Sequence, residues 1–361
     1  MKKILFAAVI ALASVPVCSQ SVSVYGVMDV SLQNNKTHGG TRDYATSSQL
    51  RSNGSLLGFR GHEALSAGNS VDFQLETSVN SLGNERGQTS ANNGTAFGTL
   101  RDSFVGINLD DLGSIRGGYM STPYRSAMVS MEIFPGAGID LTPSTRATGV
   151  QYSLPRNRNN IHGSVSFSGN NSPTNQAPTT TATDRVISAN LGWHRENFRA
   201  IAAVQQTDFV QGATGRKYPV QQATNYMVGA NYTGVANTRL SAIYGHNQYR
   251  TFDGQRGDNN TIWLGASYRQ GNHEPRISWA RSSSIQGVTN AERSDITQLT
   301  AGYAYHLSRR TQVYGVYTRA STGSDTAYNF VNSPVASVNT IYALGDATYL
   351  QAWGVGIRHQ F

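Results

Sequence analysis

The side chains best able to make or break bonds in this chain are eight histidines and an abundance of serines. Their spacing does not assemble a reaction centre. A hydrolytic serine sits on a sharp strand-to-helix elbow, and no Gly-x-Ser-x-Gly stands on such a turn. No His/Asp/Glu spacing matches a metal site, and no phosphate loop or dinucleotide fingerprint occurs. His62, His162, His246, His306 and His359 read as turn or interface residues. What remains is fixed charge. The chain has 29 Lys+Arg against 21 Asp+Glu. Without Lys2 and Lys3 that leaves 29 − 2 = 27 basic residues and a net charge of 27 − 21 = +6. Only Lys36 and Lys217 of those are lysines, so 27 − 2 = 25 are arginines. Arginine stays cationic at any relevant pH. Such charges cannot transform a solute, but they can attract an anion. They are scattered along the chain, with no basic helix or cluster, so nucleic acid is not an expected partner. No cofactor is expected.

Alternating polarity says what must position these charges. In 21–33, Val22, Val24, Met28, Val30 and Leu32 share one face; Ser23, Tyr25, Asp29, Ser31 and Gln33 share the other. In 70–80, Val71, Phe73, Leu75 and Val79 oppose Asp72, Gln74, Glu76 and Ser78. Period two means strands, each with one apolar and one polar face. A carboxylate-bearing face opposite a wholly apolar one does not suit a soluble sandwich core. It suits a wall with lipid outside and water inside. No segment other than the N-terminal one approaches a membrane-spanning helix. The 38% hydrophobic content fits strands that show lipid only one side.

The pattern predicts sixteen strands: 21–33, 55–63, 70–80, 99–108, 113–122, 146–154, 161–169, 185–194, 198–207, 223–234, 238–248, 260–269, 275–284, 294–307, 311–320 and 348–361. An even number brings both termini to the periplasmic end. Connections 195–197, 235–237 and 308–310 are short. Connections 34–54, 170–184, 208–222, 249–259, 285–293 and 321–347 are longer, rich in Gly, Asn, Ser, Thr and Asp, and read as surface loops. At the start, Lys2, Lys3 and the apolar run 4–15 have the form of a secretory signal. Val17 and Ser19 fit its cleavage site, so residues 1–19 are expected to be a signal peptide and 20–361 the barrel. Removal at Ser19 takes away Cys18, the single cysteine. Closed backbone hydrogen bonding would then hold the fold without disulfides.

The chain's end, Trp353-Gly-Val-Gly-Ile-Arg-His-Gln-Phe361, resembles the last strand of Gram-negative outer-membrane barrels. In those proteins the terminal aromatic strand is read by the barrel assembly machinery, which the resemblance makes a partner through Phe361. Further motifs extend the likeness over about 340 residues: Val22-Ser-Val-Tyr-Gly-Val-Met-Asp29, Leu57-Gly-Phe-Arg-Gly-His-Glu63, Phe73-Gln-Leu-Glu76, Phe104-Val-Gly-Ile107 and Gly118-Tyr-Met-Ser-Thr-Pro123. In order and spacing they resemble the general diffusion porins of the neisserial and burkholderial type. The resemblance implies an all-β, 16-stranded antiparallel transmembrane β-barrel with loop 3 folded into the pore. It implies a homotrimer in the outer membrane of a Gram-negative cell, in contact with outer-membrane lipid and lipopolysaccharide. Its implied function is passive diffusion of ions and small hydrophilic solutes, without enzyme activity.

By the same resemblance loop 3 covers about 123–144, and Met131-Glu-Ile-Phe-Pro-Gly-Ala-Gly-Ile-Asp140 resembles its acidic tip. Glu132 and Asp140 are expected to face an arginine ladder of Arg60, Arg101 and Arg146, with Arg125 joining from the loop. The resulting transverse field would orient dipolar solutes. Leu56 and Tyr119 stand where this family often has arginine, so the expected preference for anions is mild. Two alternatives remain at this level: a channel with a saturable site for one substrate, and a surface adhesin or antigen acting through its long loops.

Overall fold

The computed structural model describes residues 20–38, 48–80, 96–134, 146–155, 160–169, 183–209, 220–289, 291, 293–323 and 349–361. Strand β1 spans Gln20–His38. Strand β2 is in two pieces, Gln49–Ser52 and Leu56–Ala64, which pair with successive stretches of β1. β3 is Ser70–Val79. β4 is again in two pieces, Phe97–Leu100 and Ser103–Leu109, both paired with β3. β5 is Gly113–Ser121, followed by a short helix α1, Pro123–Val129. The rest are β6 Arg146–Ser153, β7 Ile161–Ser168, β8 Thr183–Arg195, β9 Phe198–Phe209 and β10 Val220–Tyr232. Then come β11 Thr238–Thr251, β12 Arg256–Tyr268, β13 His273–Ser282, β14 Ile296–His306, β15 Thr311–Thr322 and β16 Tyr349–Gln360. Eighteen strand segments minus the two interruptions make 18 − 2 = 16 wall strands.

Every strand pairs antiparallel with its neighbours in sequence, and β1 pairs with β16 from Val27↔Gln360 to His38↔Tyr349. The sheet is therefore a closed barrel with no free edge. Phe361 completes the seam: the Gly26 N–H donates to its carbonyl at 3.0 Å, and its own N–H donates back to Gly26 at 3.1 Å. Its ring lies over Gly26, where an added Cβ would meet ring carbon Cζ at 2.4 Å.

The surface is inverted relative to a protein folded in water. Val24, Leu191 and Val355 are more than half exposed, whereas Asp29, Asn225 and Thr318 are buried. Apolar side chains form the outward rows and polar ones the inward rows of the same strands. That arrangement is stable only where the outside is lipid. No helix among the described residues is long and apolar enough to cross a membrane; strands make the crossing. Short hairpins join the strands at one end, through Glu196 and Asn237 in left-handed backbone conformation.

Two expected elements differ. The expected 55–63 and 99–108 strands are the longer parts of interrupted strands, broken at 53–55 and 101–102. Within the expected surface loop 285–293 the described residues 285–289 and 291 tuck inward. Ile285, Val288 and Ala291 are buried beside Tyr249, and an added Cβ on lumen-facing Gly257 would strike Val288 and Ile285. Burial of the apolar side chains Ile285, Val288 and Ala291 drives the tuck, which the loop's polar composition did not show.

Candidate functional site: the pore constriction

Loop 3 starts where β5 ends. Thr122 caps α1, its hydroxyl accepting from the Arg125 N–H at 3.3 Å, and Pro123 opens the helix with a preset φ. The loop is then fixed to the inner wall by polar contacts. The Thr122 hydroxyl donates to Gln205 Oε1 at 2.7 Å, and the Tyr124 N–H donates to Ser188 Oγ at 2.9 Å. Asn190 Nδ2 donates to the Pro123 carbonyl at 2.7 Å. The Ser130 carbonyl accepts from Arg239 Nη2 at 2.8 Å and from Asn231 Nδ2 at 3.1 Å.

The seat beneath it is apolar. Tyr124, Ala127, Met128, Met131, Ile133 and Phe134 form one buried cluster with Ile201, Met227, Ile243, Trp263 and Val316 of the wall. Three inward-facing glycines receive loop side chains. An added Cβ would meet Met131 at 3.3 Å from Gly229, Ile133 at 2.6 Å from Gly265 and Phe134 at 2.6 Å from Gly302. Mid-strand glycine commonly marks such close approach. These inward apolar and glycine residues were the readable sign of the seat, and strand-by-strand alternation did not single them out.

The charged residues lie mainly on the other wall. Arg101 Nε donates to Glu76 Oε1 at 2.5 Å, and the Tyr25 hydroxyl donates to Glu76 Oε2 at 3.1 Å. Arg146 Nε donates to Asp102 Oδ1 at 2.7 Å; the same carboxylate accepts from the Ser121 N–H and hydroxyl. Arg101 and Asp102 are the two residues at the break in β4, so the interruption is what turns these side chains out of regular alternation. Arg60 donates from Nε to Ser23 Oγ at 3.1 Å and lies over the Tyr25 ring at 5.3 Å. Among the described residues it makes no ion pair.

Among the described residues Arg101 and Arg146 meet wall carboxylates, Glu76 and Asp102. Glu132 is half-buried, and its charge acts on Arg239 on the opposite wall. By pairing register Arg146 falls in the row of Thr148 and Val150, not in the inward row of Ala147. Arg125 sits on α1, half-buried. Asp140 lies outside the described residues. Phe361 is at the seam, as described above.

Further ion pairs line the lumen. Asp29 accepts from Arg358 Nη1 at 3.0 Å and from the Tyr314 hydroxyl at 2.6 Å, across the closing seam. Glu274 accepts both Arg276 nitrogens, at 3.0 and 2.8 Å, with His306 Nε2 at 2.6 Å. A vestibule of about 700 Å³ opens at the short-turn end, beside His62, Asp72, Asn108 and Arg116. Among the described residues no cluster of His, Cys, Asp or Glu could hold a metal.

A closed wall with lipid-facing rows, a pinned inner loop and a charged, open opposite face define an outer-membrane channel. The relationship to known proteins is direct. The chain belongs to the Gram-negative porin family, whose profile matches residues 5–325. It is 26% identical over 344 residues to the major outer membrane protein P.IB of Neisseria gonorrhoeae, covering 86% of this chain and 91% of that protein. It is 24% identical over 401 residues to P.IB of Neisseria sicca, with both chains fully covered. Its fold is shared with the anion-selective porin from Comamonas acidovorans, at TM-score 0.73 and 20% identity, covering 95% and 100% of the two chains. It is also shared with the trimer form of OmpT from Vibrio cholerae, at TM-score 0.65 and 12% identity, covering 95% and 100%. The protein is a channel of the Gram-negative outer membrane, through which ions and small hydrophilic solutes diffuse.

Proposed function

We propose that this channel works without any chemical step and leans mildly toward anions. One observation carries the lean: among the described residues Arg60 is exposed without an ion pair, while Arg101 and Arg146 each meet a wall carboxylate. An uncompensated cation beside a narrow passage favours anions weakly. The named selectivity of the Comamonas porin supports the same sign. The residues of the constriction are Arg60, Arg101, Arg125 and Glu132, with Asp140 as a further contributor and Arg146 at its margin, off the inward row. The functional unit is a homotrimer, as the trimeric Vibrio relative supports. Residues 1–19 are a signal peptide removed on export. Phe361 is the mark read by the assembly machinery, and lipid with lipopolysaccharide surrounds the barrel. The test is zero-current potential across a planar bilayer in a potassium chloride gradient. A potential of the anion-selective sign, shrinking as salt rises, is expected. A cation-selective sign would overturn the reading.

A further inference from the structure

At the short-turn end of the lumen, basic side chains of three consecutive strands converge. His162 stands at the start of β7, His194 at the end of β8 and Arg199 at the start of β9. His194 shares the inward row of Gly192, Asn190 and buried Ser188; Arg199 shares that of buried Ile201 and Ala203. His162 lines the vestibule that also reaches His62 and Asp72, four strands round the wall from Asp72. The register sets His194 directly opposite Arg199, and Gly192 directly opposite His162. Gly192 leaves the room into which His162 leans: an added Cβ there would strike His162 Nε2. The two imidazole centroids are 6.0 Å apart.

This group lacks an acid. Among the described residues the side chains of His162, His194 and Arg199 make no hydrogen bond or ion pair. His194 and Arg199 are exposed to the lumen. Arg239 of β11 adds a further cation within electrostatic reach of Arg199. The carboxylates nearby are engaged or lie apart. Asp72 meets His62 at 2.7 Å and accepts from Asn108 at 2.6 Å. Glu274 is held by Arg276 and His306, and the charge of Glu132 acts on Arg239. Glu196 lies in the β8–β9 turn, and Asp110 and Asp111 lie in the β4–β5 turn across the vestibule. Basic side chains directly opposite one another are unfavourable unless an anion is shared between them.

We propose that His162, His194 and Arg199 form a binding site for a phosphate group at the periplasmic exit of the channel. A guanidinium fork and two imidazole N–H donors match the several acceptor oxygens of phosphate; chloride offers no such array. Inorganic phosphate and phosphate monoesters share this chemistry. A phosphate-bearing solute that has passed loop 3 dwells here before release, so its flux saturates. The inference rests on the channel function and is independent of the constriction's ion preference, because Arg60 takes no part in it.

The test is planar-bilayer recording of chloride current through the full-length channel while inorganic phosphate is added. In the wild type the current should fall along a saturating curve. Arg199→Gln should raise the half-inhibiting concentration about tenfold, the loss of one charge-assisted contact. His194→Gln and Gly192→Ala should raise it by less, the second by displacing the His162 ring. Arg60→Gln should leave it in place while moving the zero-current potential, which separates this site from the constriction. Glycerol phosphate should inhibit as inorganic phosphate does, and acetate far more weakly. Chloride current before any addition shows that each variant forms a channel. A response without saturation, or equal half-inhibition of wild type and Arg199→Gln, would overturn the site. Equal inhibition by acetate would overturn the assignment to phosphate.

Discussion

The lumen has two unlike walls. On the extracellular halves of β8 to β15 the inward residues are neutral and buried: Ser188, Gln205, Asn225, Asn247, Asn259, Thr261, Ser282, Thr300 and Thr318. Several satisfy one another across strands. Asn225 Nδ2 donates to Asn247, Asn247 to Asn259 and Asn259 to Ser282, at 2.7, 2.9 and 2.9 Å. Loop 3 and the tucked 285–291 segment pack against this side. On β1 to β3 the inward residues Ser23, Arg60 and His62, toward the short-turn end, are exposed, while Asp29, Ser31, Gln33 and Glu76 higher on the same strands are buried. One wall is therefore a dry seat, and the short-turn half of the other borders the water path. The difference teaches that charge position matters more than charge count. An inward residue on the dry wall does structural work, and only one on the wet wall meets a passing ion. Arg239 is an instance: its guanidinium is taken up by the Ser130 carbonyl of loop 3.

Breaking the seat should give the largest effect. Gly265→Trp drives a ring into the space held by Ile133. Overpacking of this kind costs about 1–3 kcal/mol. Single-channel recording should show a higher conductance and more noise as the loop lifts off. Unmasking a wet-wall charge should come next. Glu76→Gln leaves Arg101 without its carboxylate, so zero-current potential should move further toward anions. The shift should be clear at low salt and vanish near 1 M, where screening acts within about 3 Å. Removing a wet-wall charge is the third test. Arg60→Gln should move the potential toward cations, by less than Glu76→Gln, because no second side chain is released. The dry wall should give the smallest change. Asn247→Leu strands two buried amide partners and should lower thermal stability by about 1–3 kcal/mol. Its ion preference should match that of the wild type.

Much of the barrel was legible because period two is imposed by geometry on every wall strand. Thus Val22 to Leu32 and Val71 to Val79 could be assigned to lipid from spacing alone. The interruptions at Asn53–Ser55 and Arg101–Asp102 were not legible. They depend on side chains from other strands: Asn53 Nδ2 donates to Ser31 Oγ at 2.7 Å and to the Tyr314 hydroxyl at 2.9 Å, and Ser121 donates to Asp102. The same limit hid the acid partners of Arg101 and Arg146. Glu76 and Asp102 become neighbours of those arginines only when distant segments pair. Gly229, Gly265 and Gly302 carried a readable sign, since inward mid-strand glycines invite another chain segment. Which segment fills them is set by the closed barrel and not by local sequence.

The most direct test of the two-wall account is thiol accessibility from the aqueous phase. In a Cys18→Ser background, single cysteines would be placed by Ser23→Cys and Arg60→Cys on the wet wall, and by Ser282→Cys and Thr318→Cys on the dry wall. A charged, membrane-impermeant thiol reagent would be added during current recording. The account predicts rapid reaction and a changed current for the first pair, and no reaction for the second. Equal reaction of both pairs would contradict it.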